Sequence, residues 1–85
     1  MDAHRGVHDE RLESIELVVA RAWSEARDRR NRPAQRLARL ATSRLRAACA
    51  ADPGGARQGE LLADAAAYAW ASQRAVELAS APPRG

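Results

Sequence analysis

Seven of the fourteen basic residues in this 85-residue chain lie between Arg29 and Arg46, a stretch without a single acid. All fourteen are arginine. Within the stretch, Arg32, Arg36, Arg39 and Arg46 recur at steps of four, three and seven, with Ser43 in the gap. On a helix that spacing makes one stripe about 20 Å long, and Arg29 extends it if the preceding turn brings it alongside. A row of guanidinium groups can track a phosphate backbone, and the hydroxyls of Thr42 and Ser43 can add phosphate contacts. The same row can pair with carboxylates of another chain. The net charge of +3 is a block of +7 set against a remainder of −4, and no aromatic residue lies inside the block to stack on a base. Those two facts favour a solvated face, or pairing with acids of a neighbouring subunit, over a nucleic acid. The taste for arginine over lysine is also one that a GC-rich genome produces.

The second candidate is aromatic. Between Leu61 and Ala71 the only charge is Asp64. Tyr68 and Trp70 stand about 200° apart on a helical wheel, so they cannot share one narrow core seam. One of them, Trp70 in this reading, is left partly exposed or buried against another chain, where aromatic anchors commonly dominate binding.

The other reactive types are sparse. His4 and His8 are four apart, a metal-ligand spacing on a helix, but Gly6 lies between them and the helix is expected to begin after them; no metal or cofactor is expected. Cys49 is alone, which excludes an internal disulfide, and is expected to be a small buried or half-buried thiol suited to a reducing cytoplasm. Glu60 and Asp64 share a helix face without a histidine or cysteine to complete a metal site. There is no phosphate-cradling glycine loop and no nucleophile–histidine pair, so the chain is not expected to be an enzyme.

The elements that position these residues are helical. Twenty-one alanines, with leucine, arginine and glutamate, dominate the composition, and these are the strongest helix formers. No segment alternates apolar and polar residues with period two. A first helix is expected over about 8–30, opened by Asp9, Glu10 and Glu13 and closed by Arg27, Arg29 and Arg30, as the helix dipole favours. Its seam is Leu12, Ile15, Val19, Ala22 and Ala26, with Trp23 on the flank. Pro33 opens a second helix over about 33–51 with Leu37, Ala41, Leu45 and Ala48 on one face; a kinked continuous helix is the alternative. Asp52-Pro53-Gly54-Gly55 breaks the chain, and a third helix covers about 57–80 with a seam of Leu62, Ala65, Ala69, Ser72, Val76 and Ala79.

Matched helices with short joints predict an all-α, up-down-up three-helix bundle over residues 8–80. Residues 1–7 and 81–85 are expected to be mobile ends. No run is long and apolar enough for a membrane span, and the start has no secretory apolar region; a cytoplasmic protein without a membrane partner is expected. Large apolar residues are few for 85 residues, so the core is expected to be completed by oligomerisation. The chain is therefore read as a non-catalytic protein–protein interaction module, self-assembling or serving as a regulatory or accessory subunit. Its expected interface is Trp23, Leu62, Ala65, Tyr68, Ala69, Trp70 and Val76, together with the first helix's seam if the monomer is open. The acidic start of the first helix would meet the basic stripe of a neighbour. A nucleic-acid-binding regulator using Arg29, Arg32, Arg36, Arg39 and Arg46 is the second reading, and a small helical enzyme the third.

Overall fold

A computed structural model describes the backbone of residues 3–80 and the side chains of residues 10–80. Three helices follow one another: α1 (Ala3–Asp28), α2 (Arg32–Ala50) and α3 (Ala56–Ser80). Each packs against both others, giving the up-down-up bundle that the spacing predicts. No strand occurs among the described residues.

α1 starts at Ala3, earlier than the expected His8, and ends at Asp28, short of Arg30. Glycine inside a helix costs only about 1 kcal/mol relative to alanine, so Gly6 does not stop it. Of the two expected mobile ends, residues 3–7 belong to α1, and residues 1–2 and 81–85 lie outside the described residues. The C-terminal end is set by a Schellman-type cap. The Arg30 amide donates to the Arg27 carbonyl at 3.1 Å and the Asn31 amide to the Ala26 carbonyl at 3.0 Å. Arg30 sits at φ 51°, in the left-handed region this cap requires. Asn31 then caps α2: its side-chain oxygen accepts from the Ala34 amide at 3.0 Å, and Pro33 occupies the first turn, where a missing amide hydrogen costs nothing. Cap against cap leaves no room for a continuous kinked helix.

Asn31 also reaches α3, donating from Nδ2 to the Ala75 carbonyl at 3.3 Å. One side chain therefore ends one helix pair and ties it to the third. Asn31→Ala is expected to lower stability by about 1–2 kcal/mol, the upper range for a lost N-cap, read as a fall in the urea midpoint at unchanged slope.

The second joint is tied by Gln58. Its Nε2 donates to the Ala48 carbonyl at 3.1 Å, near the end of α2, and its Oε1 accepts the Gly54 amide at 2.8 Å. Gly54 takes a φ of 75°, a conformation with little steric cost only for glycine.

The core is small and uneven. Among the described residues, five buried apolar side chains are larger than alanine: Ile15, Val19, Leu61, Leu62 and Val76. The rest are alanines, among them Ala22, Ala41, Ala65 and Ala69 at 0% exposure. Most of the bulk collects in one cluster of Ile15, Val19, Leu61 and Leu62, with Leu12, Leu45 and Tyr68 packed around it. Toward the α1–α2 turn the apolar core thins to Ala26, Ala34 and Val76. There, hydrogen bonds to carbonyls brace the helices. Fully buried Ser72 donates from Oγ to the Ala34 carbonyl at 2.8 Å, and Gln35 donates from Nε2 to the Ala26 carbonyl at 3.3 Å. Such bonds contribute only about 1 kcal/mol each, but an unsatisfied buried hydroxyl would cost more.

Candidate functional site

The expected interface residues divide on folding. Leu62, Ala65, Ala69 and Val76 are buried inside the monomer, which corrects their assignment to a partner surface. The reason is steric: alanine seams let three helices approach closely enough to cover these side chains themselves. The seam of α1 is closed in the same way, with Ile15, Val19, Ala22 and Ala26 all buried. Tyr68 is half-buried and packs on the main core cluster. Trp70 remains outside at 63% exposure. Trp23 is half-buried on another side of the bundle, against α2, so the two tryptophans do not form one surface.

The outer face of α3 carries Ala63, Ala67, Trp70 and Leu78, all exposed, with Ala71 partly so. At 100° per residue these five fall within one arc of the helix, away from the seam that packs on α1 and α2. Exposed Glu60 and Arg74 lie within the same arc, and Asp64 and Glu77 stand at its two edges. The outer face of α3 is thus mixed: Trp70 and Leu78 stand exposed beside small alanines and the charged Glu60 and Arg74. Arg74 lies 5.9 Å from the Trp70 ring centre and bonds Glu77 at 3.1 Å. Next to it, between α1 and α3, runs an open groove of about 680 Å³ lined by Ser14, Leu17, Val18, Arg21 and Gln73. Leu17 is 72% exposed at its rim.

Arg29, Arg32, Arg36, Arg39 and Arg46 are all exposed. Among the described residues the ion pairs are Arg57–Glu60 and Arg74–Glu77, both within α3, so no arginine of the stripe has a carboxylate partner there. Tertiary packing also adds what the block lacks in sequence. Trp23 of α1 leans on α2 beneath Arg39, whose guanidinium carbon is 5.9 Å from the ring centre. Trp23, Arg39, Thr42, Ser43 and Arg46 line one open cleft of about 410 Å³. The Thr42 hydroxyl donates to the Ala38 carbonyl at 2.9 Å, which leaves Ser43 as the hydroxyl with a proton to offer an anion. The signal that could have found Trp23 was its place one step off the α1 seam. Which neighbour that flank meets depends on the hand of the bundle, which spacing does not encode.

Cys49 is exposed, not buried or half-buried as expected. The His4 and His8 side chains lie outside the described residues. Among the described residues no three His, Cys, Asp or Glu side chains gather as a metal site, and no helix is long and apolar enough to cross a membrane. No family model, curated protein or solved structure matches the chain.

Proposed function

We propose that this chain is a non-catalytic helical interaction module that self-associates through the outer face of α3. One observation carries the reading: the outer face of α3 leaves Trp70 and Leu78 exposed, with the small Ala63 and Ala67 beside them. A second copy suits this face because the face is self-complementary. In an antiparallel α3 pair, a register that sets Ala67 of one copy against Ala71 of the other also sets Asp64 against Arg74. Small residues at the crossing allow close approach, and opposite charges fix the register more than they add affinity. Trp70 of each copy then falls at the level of the other's α1–α3 groove, where Val18 and Leu17 offer an apolar wall. A two-fold arrangement makes both contacts twice.

This places association on a different basis from a core deficit. The bundle covers its own core, and the outer face of α3 is an additional surface. It also assigns the basic stripe no role in assembly. A cytoplasmic setting and service as a regulatory or accessory subunit are compatible with such a module.

The test is the mass in solution by light scattering after size exclusion. Twice the 9.2 kDa chain mass is expected, unchanged when salt rises, because the contact is mainly apolar. A single-chain mass at concentrations up to about 100 µM, far above a micromolar Kd, would refute self-association and leave another protein as the occupant of this face.

A further inference from the structure

We infer that the cleft between α1 and α2 is a binding site for single-stranded nucleic acid, with Trp23 as the base-stacking platform and the α2 arginines as the backbone clamp. This reading is independent of the α3 contact. The cleft lies between the other two helices and stays open in the proposed dimer.

Three observations carry it. First, the charge is arranged as a line. Arg32, Arg36, Arg39 and Arg46 are exposed on one flank of α2, spanning about 21 Å at 1.5 Å per residue. That is the length of roughly six nucleotides at the 3.4 Å per-strand spacing of stacked DNA. Secondly, the charge has no internal partner among the described residues. Thirdly, the line is interrupted at its middle by an aromatic ring. Trp23 lines one cleft with Arg39, Ser43 and Arg46, its ring centre 5.9 Å from the Arg39 guanidinium carbon. Trp23 also borders a second open depression, lined by Ala20, Ser24, Arg27 and Asp28. A base can therefore approach the ring from the α1 side while Arg39 covers the α2 side.

Positive groove plus aromatic platform is the combination that holds an unpaired strand, since every base has a face to stack. A duplex offers phosphates but hides its base faces, and would leave Trp23 unused. An acidic peptide would satisfy the arginines with carboxylates and likewise give the indole nothing. The single strand is the one polyanion that uses both halves of the cleft.

The experiment is fluorescence anisotropy of a labelled single-stranded oligonucleotide of about 12 nucleotides, titrated with the full chain. A duplex of the same sequence and poly-glutamate serve as competitors. Binding is expected at 50 mM salt. With about four phosphates neutralised, and a slope near −0.7 per phosphate for single strands, it should weaken roughly 50-fold by 200 mM. The Arg39→Ala/Arg46→Ala double variant, at exposed positions that leave the core untouched, should halve that salt slope. Trp23→Leu should lose about tenfold while Trp23→Phe retains most of the affinity, each checked for unchanged helical circular dichroism. If Trp23→Leu fails to fold, the arginine variant and the competition series still decide. No binding at 50 mM salt overturns the proposal. So does competition by the duplex or by poly-glutamate as effective as by the unlabelled single strand, which would reduce the cleft to a nonspecific polyanion patch or a protein site. A Trp23→Leu variant that folds and binds undiminished also overturns it.

Discussion

Leu62→Ala is expected to bring the bundle close to unfolding at room temperature. Removing a buried leucine costs about 2–5 kcal/mol, and the cost rises with the cavity that remains. Two features of this core place the effect at the upper end. Leu62 is one of five buried apolar side chains larger than alanine among the described residues, and it belongs to the one cluster that holds most of the core's bulk. A chain of this size has a total stability of about 4–13 kcal/mol. At roughly 4–8 °C per kcal/mol, a thermal melt followed by circular dichroism should move down by well over 10 °C. Leu17→Ala is the control. Leu17 is 72% exposed, and its loss should change stability by no more than about 0.5 kcal/mol. A Leu62→Ala melt within a few degrees of the parent would mean that the core is not assembled around this residue.

Ala67→Glu is expected to convert the dimer to a monomer without loss of helical content. Ala67 is exposed on α3, and glutamate is nearly as good a helix former as alanine, so the fold should tolerate the change. In the antiparallel register the two new carboxylates lie near the two-fold axis, each facing Ala71 of the other copy. Burying them there without partners, with like charges close together, costs several kcal/mol, which weakens the dimer 100-fold or more. Trp70→Ala should weaken it by about 30-fold, the scale of a hot-spot residue. The register has its own check. Adding Ala71→Arg to Ala67→Glu places opposite charges face to face and should restore the dimer mass by light scattering. Failure of Ala67→Glu to dissociate the dimer would exclude the outer face of α3 as the contact. Dissociation without rescue would exclude this register but not the face.

The helices were legible because their signals are local. Pro33 and the Asp52 to Gly55 break mark both joints, and the seam Leu12, Ile15, Val19, Ala22 and Ala26 is a repeat along one strip of surface. The end of α1 was misjudged because Arg29 and Arg30 suit a helix by propensity and dipole. Yet Asn31 serves better as the cap of α2, which forces Arg30 into the left-handed turn. The exposure of Trp70 was legible too, since two aromatic residues 200° apart cannot share a seam. Leu62, Ala65, Ala69 and Val76 were readable as an apolar face, but not as a face the monomer itself covers. An alanine seam is equally consistent with close packing inside one chain or between two.

By itself the sequence determined that there are three helices, where they break, and that a line of arginines runs along the second opposite its apolar side. Propensity, capping and helical periodicity act within a few residues, and the chain order alone records them. Only the tertiary structure decided which apolar side chains close the core and which stay outside, and that Trp23 meets Arg39 across the α1–α2 joint. Those outcomes depend on the hand of the bundle and the offset between helices. Both are settled by how side chains from all three helices pack at once.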